Sequence, residues 1–108
     1  MINNNVKVLG LLGLCAKSGS VVFGTEACKQ QIEKNKVKLL IVANDAADRT
    51  KRNFEIISKD ANIPICIYET IENLSKSIGK QNKAVIGIKN ESLASQIYKI
   101  INGGDVIG

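Results

Sequence analysis

The sequence predicts a three-layer α/β/α sandwich, in which helices cover both faces of a central mixed sheet of about four strands. Three apolar runs of strand length, at 38–43, 63–68 and 84–89, alternate with segments of helical periodicity. Runs that are apolar throughout are typical of strands buried on both faces. Strands that alternate with helices through short connections indicate this architecture. At 108 residues, the chain is expected to form a single domain over residues 1–108.

The first half of the chain predicts a helix, a short strand and a second helix. The first helix covers 6–17, and Lys17-Ser18-Gly19 ends it. Its buried face is predicted to hold Val6, Leu9, Leu12 and Ala16. Residues 20–24 form a short β-like segment, after which Thr25 stands at the N-cap of a helix that runs to about residue 35.

The second half repeats a strand–helix alternation. The strand at 38–43 is followed by Asn44 and Asp45, which can cap a helix that buries Ala47, Phe54, Ile57 and Ala61. The strand at 63–68 carries Pro64 near its start, where proline is tolerated, and Thr70 caps a short helix. After the strand at 84–89, Asn90 caps a final helix that Gly103-Gly104 ends.

The amino-acid composition limits the classes of function that the chain can have. The chain has no histidine, which removes the commonest general base and metal ligand, so neither an enzyme nor a metal or cofactor site is expected.

Three widely spaced cysteines lie among apolar neighbours and are expected to be buried thiols in a reducing cytoplasm. The apolar run at 6–16 is far shorter than the ~20 residues that a bilayer requires, so no membrane association is expected. A net charge of +5 is compatible with a nucleic-acid partner.

Three polar junctions are candidate binding sites, because ligands gather where strands end and helices begin. Each junction is also compatible with a structural role alone: a capped helix at the first, a solvated helix face at the second and an exposed turn at the third. The candidate residues are Gly24, Thr25, Glu26, Ala27, Lys29 and Gln30 at the first junction; Asn44, Asp45 and Arg49 at the second; and Lys80, Gln81, Asn82 and Lys83, after Gly79, at the third.

In order and spacing, these segments resemble the ribosomal protein L-seven-Ae family, and in particular its small bacterial, ribosome-associated members. The likeness covers roughly residues 8–102. Its motifs are Leu11–Gly19, Gly24 at the start of a helix, Lys38–Ala46, Asn62–Ile65 and Leu74–Lys80.

The resemblance implies a protein that binds kink-turn RNA, a duplex sharply bent at a three-nucleotide bulge beside sheared G·A pairs. It implies that Gly24–Gln30 is the helix that enters the widened groove, that Asn44 and Asp45 flank it, and that Lys80–Lys83 covers the extruded nucleotides. Lys17, Lys29, Lys80 and Lys83 would contact phosphates. The family pattern Gly-x-Asn-Glu-x-x-Lys is changed here to Glu26, Ala27 and Gln30 at its last three fixed positions.

Three functional hypotheses follow. The first is a cytoplasmic protein, monomeric when free, that binds structured RNA, with ribosomal RNA and the ribosome as expected partners. The second is a protein-binding adaptor that kept the fold and lost RNA affinity, which Ala27 and Gln30 favour. The third, the least supported, is an enzyme that uses Asp45 as acid or base.

Overall fold

A computed structural model describes residues 4–103 and shows five helices around a four-stranded mixed sheet. The elements in chain order are α1 (Asn4–Lys17), β1 (Val21–Phe23), α2 (Thr25–Glu33), β2 (Leu39–Val42), α3 (Asp48–Ala61), β3 (Ile65–Ile67), α4 (Ile71–Ser77), β4 (Val85–Ile88) and α5 (Glu91–Ile101). The strand order is β1-β4-β2-β3. β4 runs antiparallel to both of its neighbours, whereas β2 and β3 are parallel.

Helices cover both faces of this sheet, as the sequence predicted. α1 packs on α4 and α5, and α5 lies on β2 and β4. On the other face, α2 lies against β1 and β4, and α3 lies against β2 and β3. The two central strands, β2 and β4, are buried along their whole length, which explains why their sequences are apolar without alternation.

The buried face of α1 differs from the predicted one. Val8, Leu12 and Cys15 are fully buried, whereas Val6 is 61% exposed. Leu9 and Ala16 are only partly buried against the core. The helix is apolar on nearly all sides, so its periodicity did not identify the inward stripe. Gly13 faces α4, where an added Cβ would lie 3.4 Å from the Ser77 carbonyl.

Two predicted caps are confirmed. The Thr70 hydroxyl accepts the Asn73 N–H at 3.1 Å, and the Asn90 side chain accepts the Leu93 N–H at 2.8 Å. α5 ends at Ile101, before Gly103 with a positive φ, while Gly104 lies outside the described residues.

Two other predicted caps are wrong. Gly24 is the N-cap of α2, and Thr25 is its first helical residue, because the Gly24 N–H still bonds to the sheet and the chain turns at φ 92°. Ala47 is the N-cap of α3, which begins at Asp48, so Asn44 and Asp45 do not cap it. Ala47 is exposed, so its predicted burial is wrong as well. Asp45 instead accepts the N–H of Ile71, the first residue of α4.

The three cysteines are free and buried, as predicted. Burial raises the pKa of each thiol above its usual value, and the pKa of Cys28 reaches about 12. The Cys28 thiol donates to the carbonyls of Val22 and Val85, at 3.7 and 3.8 Å. These thiols therefore stay neutral at physiological pH and act as small core side chains. Within residues 4–103, no helix is long and apolar enough to cross a membrane.

Gly87 is the closest point of packing on β4. A Cβ at this position would lie 2.8 Å from Val22 Cγ1 and 3.2 Å from Val37 Cγ1. We therefore expect Gly87→Ala to destabilise the fold by about 1–3 kcal/mol, measured by urea unfolding, because overpacking forces its neighbours apart.

Gly10→Ala is the matched control, since its Cβ would meet nothing within 4 Å on the exposed side of α1. It should stabilise the protein by about 0.5–1 kcal/mol through helix propensity. Equal stability of the two variants would contradict the close packing at Gly87.

Candidate functional site

One edge of the sheet collects the three polar junctions. β1, β2 and β3 end at this edge and β4 begins there. Three backbone hydrogen bonds join them: Gly24 N–H to the Val85 carbonyl (2.9 Å), Ala43 N–H to the Ala84 carbonyl (2.9 Å) and Asn44 N–H to the Glu69 carbonyl (2.7 Å). We call this surface, formed by 23–30, 44–49, 69–73 and 79–83, the junction edge.

The start of α2 supplies the first part of the junction edge. Gly24 has no side chain to cap the helix, so backbone N–H groups of the first turn remain available to an outside acceptor. Glu26 is exposed and lies 3.8 Å from Lys29 in a surface ion pair. Thr25 and Gln30 are also exposed, whereas Ala27 is partly buried.

The connection from α4 to β4 supplies the second part, and Ser75 holds it in place. Ser75 is 2% exposed, and its hydroxyl accepts the Lys83 N–H at 2.8 Å. The Ser75 carbonyl accepts the Lys80 N–H at 2.8 Å. Asn82 has φ 53°, a left-handed conformation that asparagine tolerates. The exposed loop is therefore anchored at both ends by one buried residue.

Phe23 links this loop to the start of α2. The ammonium of Lys80 lies 5.1 Å from the centre of the Phe23 ring, and that of Lys83 lies 5.4 Å from it. Cation–π contacts of exposed groups contribute about 0.5–1 kcal/mol each. Sequence reasoning missed Phe23; its position directly before Gly24 was the available signal.

The third part surrounds Glu69, the residue that follows the end of β3 and Tyr68. Asn73 Nδ2 lies 2.8 Å from Glu69 Oε2, and this bond is the main reason that the pKa of Glu69 lies below its usual value. The Asn5 side chain and the Thr70 N–H also stabilise the carboxylate. Burial, and then the charge of Glu69, raise the pKa of Tyr68, whose hydroxyl donates to Asn5 Oδ1 at 2.7 Å.

Glu69 also carries backbone strain. Its φ is 66°, whereas the other non-glycine residues with positive φ among residues 4–103 are asparagines. A left-handed conformation costs a glutamate more than an asparagine, and such residues cluster at functional sites. The bonds that its side chain and carbonyl make at the junction edge hold this conformation.

The structure brings together most of the residues predicted for the site, with one exception. Arg49 is exposed in the first turn of α3, at the junction edge. Lys17 is not there. It ends α1 before β1 begins, and the carbonyl of Ser20, directly before β1, accepts the Lys89 N–H at the opposite edge of the sheet. Lys17 and Gly24 are close in sequence but lie at opposite edges of the sheet, because β1 runs between them.

The junction edge offers hydrogen-bond donors and acceptors on a polar surface. Asp45 Oδ1 is occupied by the Ile71 N–H at 2.8 Å, which gives this carboxylate a structural role. Across residues 4–103, no group of three or more cysteine and acidic side chains could hold a metal ion. The arrangement suits recognition of a large polar ligand.

Comparison with known proteins gives the family. The model of the Ribosomal protein L7Ae/L30e/S12e/Gadd45 family matches residues 6–98 of this chain. An RNA-binding protein YlxQ from Enterococcus faecium is 30% identical over 100 residues, which cover 93% of this chain and 96% of that protein. An RNA-binding protein YlxQ from Bacillus subtilis is 24% identical, with 85% and 92% covered. None of these descriptions is that of an enzyme.

Solved structures share the fold. A protein of unknown function from Bacillus halodurans superposes with a TM-score of 0.86 at 28% identity, covering 89% of this chain and 97% of that one. The 15.5kD RNA binding protein of Giardia lamblia superposes with a TM-score of 0.76 at 18% identity, covering 100% and 92%. The second likeness concerns the fold alone.

The anchoring of the loop by Ser75 can be tested by Ser75→Ala. We expect a loss of about 1–3 kcal/mol in the free energy of unfolding, because the Lys83 N–H would lose its buried acceptor. Amide hydrogen exchange at Lys83 should become faster.

Ser77→Ala is the control, since among residues 4–103 the Ser77 hydroxyl bonds only to the Leu74 carbonyl, within α4. It should leave exchange at Lys83 unchanged. Unaltered exchange in Ser75→Ala would refute the anchoring role.

Proposed function

The chain belongs to the Ribosomal protein L7Ae/L30e/S12e/Gadd45 family, and we propose that it binds RNA, specifically kink-turn RNA, through the junction edge. One observation carries the proposal. Lys80 and Lys83 of the loop meet above Phe23, directly beside the start of α2, so a helix end and a basic loop form one continuous surface. The names of the YlxQ relatives support RNA as the ligand.

The start of α2 would enter the RNA groove. An irregular duplex exposes base edges that a regular A-form groove hides, and a helix end can reach them. Glu26 is exposed and can accept hydrogen bonds from a guanine edge. The N–H groups of the uncapped first turn favour a nearby phosphate. Contact with RNA would have to separate Glu26 from Lys29, freeing the ammonium for a phosphate.

The loop would cover the extruded nucleotides of the bulge. A cleft of about 330 Å³ lies beside it, lined by Glu72, Ser75, Lys76 and Lys80–Asn82. A base without a pairing partner can enter such a polar cleft and use its free edges for hydrogen bonds. Lys80 and Lys83 would then exchange the Phe23 ring for phosphate oxygens, which are stronger partners for an ammonium.

We also propose that the protein acts on or near the ribosome, in the cytoplasm, and as a monomer when free. Membership of a family of ribosomal proteins supports the ribosomal partner. The domain that does this is proposed to comprise residues 1–108.

A second candidate function is a protein-binding adaptor on the same fold. Ala27 and Gln30 weaken the proposed contact between α2 and RNA, because neither side chain carries a charge. A groove of about 400 Å³ between α2 and α3 offers such a partner a partly apolar surface, lined by Ile32, Ile57 and Ala61 together with Lys29, Glu33, Asn35 and Asp60. A partner captured from lysate after RNase treatment would favour this function, whereas loss on RNase treatment would favour RNA binding.

The proposal predicts selectivity for bent RNA. At physiological salt we expect a kink-turn RNA to bind at least about tenfold more tightly than a copy whose G·A pairs are replaced by Watson–Crick pairs, a difference of ~1.4 kcal/mol. A fluorescence titration of both RNAs measures it. Equal affinities that fall together with salt would mean phosphate attraction alone and would reject the proposal.

If the loop of Lys80–Lys83 contacts the bulge, Lys80→Ala/Lys83→Ala should lower the affinity for kink-turn RNA by about tenfold or more. The reason is that two phosphate contacts beside the start of α2 are removed. Lys51→Ala/Lys99→Ala removes the same charge from α3 and α5 and should change the affinity by less than about threefold. Identical losses in the two variants would contradict the loop assignment.

A further inference from the structure

The opposite edge of the sheet is a separate surface. β1, β2 and β3 begin there and β4 ends there, as three backbone hydrogen bonds show: Lys89 N–H to the Ser20 carbonyl (2.8 Å), Lys38 N–H to the Ile88 carbonyl (2.7 Å) and Leu40 N–H to the Pro64 carbonyl (3.0 Å). α1, α2 and α3 also end on this side. Because strands are ~4.8 Å apart, the four strand ends span roughly 15 Å.

Basic side chains concentrate on this edge. Lys17 ends α1, Lys59 lies in the last turn of α3, and the others lie in the α2–β2 connection or directly after β4. All are exposed except Lys89, which is partly exposed. We call this set the lysine edge; it comprises Lys17, Lys34, Lys36, Lys38, Lys59 and Lys89.

The lysine edge holds an excess of positive charge. Three carboxylates lie on the same side, those of Glu33, Asp60 and Glu91, against six ammonium groups. In the part of the chain covered by residues 4–103, none of these lysines forms an ion pair with a carboxylate.

The junction edge, by contrast, has no excess of positive charge. Its four cationic groups face five carboxylates: Lys29, Arg49, Lys80 and Lys83 against Glu26, Asp45, Asp48, Glu69 and Glu72. The positive charge that attracts a polyanion at long range therefore lies mainly on the opposite side of the sheet.

Helix ends explain only part of this pattern. A lysine in the last turn of a helix complements the helix dipole, which accounts for Lys17 and Lys59. Lys36, Lys38 and Lys89 lie outside helices, where that reason does not apply. Their mutual repulsion favours a bound polyanion.

We propose that the lysine edge is a second RNA-binding surface, which contacts the phosphates of a duplex without reading its sequence. Double-stranded DNA presents about one charge per 1.7 Å of its axis, and an RNA duplex likewise carries two phosphates per base pair, so a surface of roughly 15 Å meets several phosphates. Lysine is a point charge on a flexible stem, suited to phosphates and depleted in the cores of protein interfaces. Since the two edges lie at opposite ends of the strands, one molecule can join two RNA segments.

The test compares two charge-matched variants. Lys34→Gln/Lys36→Gln/Lys38→Gln removes three charges from the lysine edge, and Lys51→Gln/Arg52→Gln/Lys99→Gln removes three from α3 and α5. Each is titrated with a plain Watson–Crick RNA duplex over a range of salt concentrations. All six side chains are at least partly exposed, and thermal unfolding of both variants verifies that the fold is retained.

We expect the lysine-edge variant to bind the plain duplex about tenfold or more weakly than wild type, with the slope of log affinity against log salt reduced by about 2–3. The control variant should lose less than about threefold. Equal losses in both variants would overturn the proposal. So would binding of poly-aspartate as tight as that of the duplex at equal charge, which would make the surface one for acidic proteins.

Bridging is measured with immobilised kink-turn RNA and a labelled plain duplex in solution. Wild type should capture the duplex on the immobilised RNA, the lysine-edge variant should not, and the control variant should. Failure of wild type to prefer kink-turn RNA in solution would reject only the proposed function, whereas kink-turn binding without duplex capture would reject only the lysine edge.

Discussion

The direction of β4 is the constraint on which the rest of the structure depends. β4 lies between β1 and β2 and runs antiparallel to both, so its first residues meet their last ones. The Val85 and Ala84 carbonyls accept the N–H groups of Gly24 and Ala43 at that point. If β4 were parallel to its neighbours, the loop before it would open at the other end of the sheet. The lysines of that loop would then lie far from the start of α2.

The same constraint separates two kinds of surface. The junction edge gathers the starts of α2, α3 and α4, which carry partial positive charge, and the first turn of α2 has no side-chain cap. Carboxylates such as Glu26, Asp48 and Glu72 accompany these helix starts and stabilise them. The other edge gathers helix ends, where lysine is favoured. The direction in which the helices run thus accounts for part of the segregation of charge between the two ends of the strands.

Much of the fold was predictable because local signals decided it. The buried strands are apolar throughout, and Thr70 and Asn90 cap their helices through bonds to residues three positions ahead. The predictions that were wrong depended on contacts between residues that are distant in sequence. Asp45 bonds to Ile71, 26 residues away, in place of capping its own helix. The inward face of α1 is chosen by α4 and α5, and a helix that is apolar nearly all round does not encode that choice.

In the candidate site, too, local sequence predicted the segments but not the way in which they come together. Its three segments were predictable from polar residues at strand ends, yet their convergence depends on the sheet order, which places the loop of Lys80 and Lys83 beside Phe23. Lys17 was misplaced because a strand of three residues carries the chain from one edge to the other.

In the two proposals, selective and unselective RNA binding are assigned to different surfaces: a junction edge without an excess of positive charge and a basic opposite edge. A surface with little net charge gains affinity from hydrogen bonds and shape, which depend weakly on salt and strongly on RNA geometry. A surface of unpaired lysines gains affinity from counterion release, which depends strongly on salt and little on geometry. In a protein that carries both, selectivity for a bent RNA should rise with salt, because the unselective contribution falls first.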